Sequence, residues 1–163
     1  MSRACQAGDH NRREGEAVSE ATAASGSFSV RVTVRGYETD VLGHLNQSVY
    51  LNYAEHARWS LVQAAGVSQE NLIAKGVGPV TLETTIRYKR ELRAGDEVEV
   101  TCDFHMDESK VFRVEQTIRK PDGTVAAEIS ATGGLMDLKE RKLVADPREY
   151  FRALATDPRL FGL

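Results

Sequence analysis

Residues 46–66 read NQSVYLNYAEHARWSLVQAAG, and the spacing of their apolar positions decides the fold. Tyr50, Tyr53, Ala54, Ala57, Leu61 and Ala65 recur every three or four residues, so they share one stripe of a helix running from Gln47 to about Ala65. Asn46 suits the start of that helix, because its short side-chain oxygen can accept a first-turn N–H. Gly66 suits its end. A helix of this length with a single apolar stripe needs a surface to bury it against.

The flanking segments supply that surface. Upstream, Phe28, Val30, Val32 and Val34 alternate with Ser29, Arg31, Thr33 and Arg35, the period of a strand with one buried face. Downstream, Val80, Leu82, Thr84, Ile86 and Tyr88 form a second alternating set. Val98, Val100, Cys102, Phe104 and Met106 form a third, and Phe112, Val114, Gln116 and Ile118 a fourth. Asp107-Glu108-Ser109-Lys110 reads as a hairpin turn between the last two, and Pro121-Asp122-Gly123 as a turn before a final strand from Thr124 to Leu138. Consecutive strands with short connections run antiparallel. The expected fold class is therefore α+β, a curved five-stranded antiparallel sheet wrapped around one long central helix. That domain should span residues 27–146, with Pro147 to Ala155 a short closing helix ahead of a brief tail.

Composition narrows the function. The 163 residues suit a single domain, and a formal net charge of −3 with no basic footprint gives no reason to expect a nucleic-acid partner. No apolar run is long enough to cross a bilayer, so no membrane association is expected. Cys5 and Cys102 stand too far apart to suggest a disulfide framework or a metal site. Cys102 alternates with apolar neighbours, as a small core residue in a reducing, cytoplasmic compartment would. Residues 1–26 contain no Leu, Ile, Phe, Tyr or Trp and no apolar stretch of a secretory signal, so they read as a disordered tail carrying His10.

The chemistry concentrates in the connection from strand to helix, Tyr37-Glu38-Thr39-Asp40-Val41-Leu42-Gly43-His44-Leu45-Asn46. Asp40 precedes the helix start at Gln47, where first-turn N–H groups lack intrahelical acceptors and could hold a developing oxyanion. A carboxylate beside such donors fits acyl transfer, either attacking or activating water. Gly43 would permit the tight backbone path between the two. The same spacing also fits an aspartate that merely forms the turn or caps the helix, and the residues alone leave both roles open.

Asp40-Val41-Leu42-Gly43-His44-Leu45-Asn46, with Tyr50-Leu51, Tyr53, Glu55 and Arg58, resembles the D-x-x-G-H-x-N-x-x-x-Y-L-x-x-x-E-x-x-R signature of the 4-hydroxybenzoyl-CoA thioesterase-like enzymes of the hotdog fold. The strand order extends the likeness over about Phe28 to Leu143. The resemblance implies an acyl-CoA thioesterase with Asp40 as nucleophile or general base and the backbone N–H near Gln47 polarising the thioester carbonyl. His44 and Asn46 fall where related acyl carrier protein (ACP) thioesterases have an H-x-N pair in the active site. It also implies a homodimer or homotetramer with active sites at subunit interfaces, an acyl-CoA or acyl-ACP substrate, and no metal or organic cofactor.

Other residues carry paired readings. His44 could orient substrate or close a loop hydrogen bond, and Asn46 could act in the site or serve as the cap. Glu55 and Arg58, three residues apart and projected away from the most polar helix face, are expected to form a buried structural ion pair, with a catalytic Glu55 as the alternative. His56 and His105 fall on polar faces. Tyr50 and Tyr53 could belong to the core, the substrate site, or both. Arg87, Lys89, Arg90 and Arg93 form either a solvated face or a contact for CoA phosphates, with Gly43, Tyr50, Arg87, Lys89 and Arg90 as candidate substrate-binding residues. Two rival functions share the fold: a non-catalytic acyl-thioester binding module, which the intact Asp40 and Gly43-His44 argue against, and a dehydratase or hydratase, whose characteristic Asp/His or His/Glu arrangement is missing.

Overall fold

The computed structural model describes residues 27–163; the tail, Cys5 and His10 lie outside them. In chain order the elements are β1 (Phe28–Thr33), α1 (Gln47–Ala64), α2 (Gln69–Ala74), β2 (Val77–Tyr88), β3 (Glu97–His105), β4 (Val111–Arg119), β5 (Val125–Asp137), β6 (Lys142–Leu143) and α3 (Pro147–Leu154). Short 3-10 turns occupy Gly36–Glu38 and Pro158–Phe161. The fold is α+β: an antiparallel sheet in the order β1-β3-β4-β5-β2 curls around α1, and the two-residue β6 adds to β5.

The helix forms where its stripe was read. Tyr50, Tyr53, Ala54, Ala57, Leu61 and Ala65 are all buried, together with Val62. Ala54 and Ala57 have no exposed surface, and such small side chains let the helix axis come close to the sheet. Against them pack the inward residues of β1, β3 and β4, among them Val30, Val100, Val114 and Ile118. The turns also fall where expected. The Ser109 N–H donates to the Asp107 carbonyl between β3 and β4, and Gly123, with φ +87°, closes the turn before β5.

The second strand departs from expectation twice. First, β2 lies beside β5, not β3, so between Tyr88 and Glu97 the chain crosses from the β2 edge to β3, which lies inside the sheet between β1 and β4. Second, its register shifts between Thr81 and Glu83, a bulge that places two residues opposite one. Val80 and Ile86, read as sharing a face, therefore point to opposite sides. Cross-strand partners share a face, so Thr84, Ile86 and Tyr88 lie on the side of their partners Ala131, Ile129 and Ala127, the concave side. α1 leaves this stretch partly uncovered, and Tyr88 is 49% exposed.

The C-terminal segment joins the core. Phe151 of α3 and Phe161 are buried against Phe104 and Phe112, with ring centroids 4.6–6.1 Å apart. It also finishes α1, since the Thr156 and Asp157 N–H groups donate to the Ala65 carbonyl at 2.8 and 3.2 Å. Gly66, at φ +82°, ends the helix, and a Cβ there would collide with Thr156. The six-residue α2 was not legible as a separate element.

Candidate active site

Asp40 sits in a loop held shut from both sides. Its N–H donates to the His44 carbonyl at 2.7 Å, and its carbonyl accepts the Gly43 N–H at 3.0 Å. Its Oδ1 accepts the N–H groups of Leu42 (2.8 Å) and His44 (3.2 Å), so the turn-forming role is present. Oδ2 has no hydrogen-bond partner among the described residues and faces an exposed surface. Gly43 has φ +72°, a conformation that a side chain would strain, with no neighbour within reach of a Cβ. Backbone geometry, not crowding, therefore requires glycine there.

The loop is pinned to the body of the protein. Leu45, buried, donates its N–H to the Leu92 carbonyl at 2.7 Å, and Asn46 donates to the Glu38 carbonyl at 2.9 Å. Asn46 caps α1, its Oδ1 accepting the Ser48 N–H (3.0 Å) and hydroxyl (2.9 Å). The Val49 N–H goes to the Asn46 carbonyl. Among the described residues the Gln47 N–H has no acceptor, which leaves it the open donor at this helix end. The junction thus offers one carboxylate oxygen and one N–H from a single stretch of chain.

His44 turns its ring to other partners. Its Nε2 lies 3.1 Å from Arg93 Nη2 and 3.5 Å from Glu91 Oε2, and Arg93 also binds Glu91 at 2.9 Å. A guanidinium only donates, so the ring nitrogen accepts in that contact. The hydrogen bond from Arg93 holds Glu91 below the usual carboxylate range. Tyr50 is buried, donates to the Arg90 carbonyl at 3.4 Å and meets Tyr88 edge-on, with centroids 5.1 Å apart. The Tyr88 hydroxyl in turn donates to the Gln47 carbonyl at 3.0 Å, which fixes the end of β2 beside the start of α1.

The basic cluster divides. Lys89 pairs with Glu128 at 2.6 Å on the convex sheet face that Arg87 shares, whereas Arg90 and Arg93 lie in the connection lining the Asp40 loop. The pairing of His44 with Arg93 brings that connection against the loop.

The expected Glu55–Arg58 ion pair is not formed. Glu55 is exposed and makes no salt bridge among the described residues, while half-buried Arg58 donates from Nη1 to Gln116 Oε1 at 3.1 Å. Burial lowers the Arg58 pKa, which Cys102 and Glu55 oppose. Gln116, 2% exposed, spends its amide nitrogen on the Ala54 carbonyl at 2.8 Å and the Thr101 carbonyl at 3.4 Å. The sequence pattern missed Gln116, although its signal was there: a lone amide in an inward-facing set. It also missed Glu38, whose carboxylate accepts the Tyr53 hydroxyl and binds Arg35 at 3.2 Å. Burial pushes the Glu38 pKa up, but the hydrogen bonds from Tyr53 and Arg35 outweigh it and hold the carboxyl below its ordinary range. His56 and His105 are exposed.

Beside the middle of α1 lies a cavity of ≈ 110 Å³. Its walls are mostly apolar, with Trp59, Val62, Phe104, Phe112 and Phe151 inside and Glu55 and Arg58 on its rim.

An antiparallel sheet curled about one central helix is the hotdog fold. The chain belongs to the thioesterase-like superfamily, whose model matches residues 34–154, and it is a thioester hydrolase. It is 30% identical over 119 residues to the long-chain acyl-CoA thioesterase FadM of Escherichia coli K12, covering 72% of this chain and 89% of that one. It is 28% identical over 133 residues to the chloroplastic acyl-acyl carrier protein thioesterase ATL2 of Arabidopsis thaliana, covering 80% and 71%. The crystal structure of YbaW, a probable thioesterase of E. coli, superposes with a TM-score of 0.65 at 28% identity, over 71% of this chain and 87% of that one.

Proposed function

We propose that this protein hydrolyses acyl-CoA thioesters to free acid and CoA, with Asp40 as the catalytic carboxylate. The observation that carries this reading is the Asp40–Gln47 junction. Oδ1 is fully engaged in holding the loop, so Oδ2 is the oxygen left to attack the carbonyl or take a proton from water. The free Gln47 N–H, at the positive end of α1, would accept the charge that develops on the thioester oxygen. His44 and Asn46 then act by holding this geometry, through backbone closure and capping. Arg90, on the adjoining connection and without a carboxylate partner among the described residues, is suited to the phosphates of CoA, whereas Lys89 and Arg93 are already paired with Glu128 and Glu91. The named activity of the E. coli relative supports CoA as carrier; the Arabidopsis relative makes an acyl carrier protein the alternative.

We further propose a homodimer formed about the β2 edge. An edge strand presents unpaired backbone groups, and Leu82 and Tyr88 on β2 are 52% and 49% exposed. Tyr37, Val41 and Leu42 around Asp40 are more exposed still, an apolar surface that a second copy would cover. Static light scattering coupled to size exclusion tests this part, and a monomer at micromolar concentration overturns it.

The test of the activity is CoA release from a panel of acyl-CoAs, C4 to C18 plus benzoyl and phenylacetyl, with Asp40→Asn in parallel. Asn can still accept the Leu42 and His44 N–H groups, so the loop should survive while turnover falls by about 10²-fold or more. A folded Asp40→Asn protein with near wild-type turnover would remove Asp40 from the mechanism. CoA release from no substrate would move the reading to acyl carrier protein thioesters.

A further inference from the structure

We infer that the cavity beside α1 receives the far end of a linear acyl chain and sets a preference for about 10–14 carbons; this inference rests on the proposed thioester site at Gln47. Two features on opposite sides of the molecule's groove mark the path. At one end, the Tyr88 hydroxyl binds the Gln47 carbonyl, so the end of β2 meets the start of α1. At the other, Val80 and Thr81 of β2 share the cavity wall with Glu55, Arg58 and Trp59 of α1. The two elements therefore flank one groove from the oxyanion donor to the cavity. Leu51, Glu55, Thr84 and Tyr88 are exposed in the protomer along it.

The length follows from helix geometry. A rise of about 1.5 Å per residue puts Glu55 about 12 Å and Trp59 about 18 Å beyond Gln47 along the axis. An extended hydrocarbon chain advances about 1.3 Å per carbon, given C–C bonds of about 1.5 Å. A thioester carbonyl held at Gln47 thus delivers carbons from about the tenth to the fourteenth into the cavity.

The cavity has the character and size for that end. At ≈ 110 Å³ it is smaller than the ~150 Å³ apolar cavity that holds a benzene-sized guest, so it admits a few terminal carbons but not a large ring. Its floor is blind, because Phe112 and Phe151 meet edge-on at 6.1 Å and Phe161 stands behind Phe151. Gly133 makes that floor possible: a Cβ there would come within 2.6 Å of the Phe112 ring. Chains too short to reach the cavity forgo its burial, and longer ones press against the aromatic floor.

Trp59, the chain's one tryptophan, lies in the cavity wall and reports directly on occupancy. The probes are non-hydrolysable S-(ω-bromoalkyl)-CoA thioethers of 4, 8, 12 and 16 carbons, whose terminal bromine quenches indole fluorescence on contact. Strong quenching at 12 carbons with little at 4 is the expected result. Equal quenching at every length, or none at any, overturns the inference. In the same preparation, Ala131→Leu, which narrows the cavity, should shift the optimum for CoA release toward chains of about eight carbons or fewer; an unchanged optimum in the folded variant counts against the inference. Quenching requires no turnover, so the two readings fail separately. Length-dependent quenching without CoA release refutes the hydrolysis of acyl-CoA and leaves the cavity assignment standing. Asp40-dependent release without length-dependent quenching does the reverse.

Discussion

Arg58 Nη1 donates to Gln116 Oε1 at 3.1 Å, tying the middle of α1 to the middle of β4 through a neutral amide. Gln116 also donates to the Ala54 carbonyl, so one buried side chain satisfies groups on both elements. Removing it strands the Arg58 guanidinium at the cavity rim. Gln116→Ala should lower stability by about 2–3 kcal/mol, read by urea unfolding. Glu55→Gln should stay within about 0.5 kcal/mol of wild type, because Glu55 is exposed and unpaired among the described residues. A large loss at Glu55 with none at Gln116 would restore the ion-pair view of this helix.

Gly43 holds the Asp40 loop in a left-handed conformation, φ +72°. Gly43→Ala places a Cβ in that conformation at a cost of about 1–2 kcal/mol. The strain falls on the turn that aims Asp40, so CoA release should drop more than the melting temperature suggests. Gly43→Asn should recover much of the loss, since asparagine tolerates this region. If Ala and Asn behaved alike, steric contact and not backbone conformation would be the requirement.

Cys102 is a buried thiol whose pKa burial pushes up to about 12. Thiolate is the reactive form, so the native protein should resist thiol reagents at pH 8. With Cys5 replaced by serine, Ellman's reagent should find no rapid thiol in the folded protein and one in denaturant. Fast labelling of the native variant would mean that the sheet opens around β3.

Much of this architecture was legible in the sequence. The α1 stripe, the Asn46 cap and the Gly123 turn are local features, written in residues a few positions apart. The position of β2 is not local. Nothing in Val80–Tyr88 says which strand it will pair with, because partners far along the chain, from Gly134 opposite Val80 to Ala127 opposite Tyr88, decide it. The bulge at Thr81/Glu83 likewise carries no composition signal, yet it inverts the face on which the apolar residues were placed. For the site, the motif placed Asp40, Gly43 and Asn46 in one loop, and the structure shows their hydrogen bonds. The Glu55–Arg58 pairing failed because proximity along a helix says nothing of a competing amide from β4. The Arg87–Arg90 cluster split because strand alternation sends Arg87 and Lys89 to the convex face.

The contact between Tyr53 and Glu38 sets a pH window for stability. The Tyr53 hydroxyl donates to the Glu38 carboxylate, which also accepts the Arg35 N–H at 2.8 Å. Glu38 in turn accepts the Asn46 N–H through its backbone, so the pair anchors the Asp40 loop to α1. The Glu38 pKa is lowered on folding from its ordinary 4.5, because the hydrogen bonds from Tyr53 and Arg35 overcome the opposing effect of burial. Its contribution is thus present above that pH and is lost as pH falls through the folded value. The Tyr53 pKa is raised above its ordinary 10.0, chiefly by burial and then by Glu38. Its contribution is present below that pH and is lost as pH rises through the folded value. Tyr53→Phe should therefore cost about 1.5–3 kcal/mol near pH 7, where both contributions hold. The gap to wild type should narrow below about pH 4 and again above about pH 10. Unfolding free energies of the two proteins across pH 3–11 check this, and a gap independent of pH would show that the hydroxyl contributes packing alone.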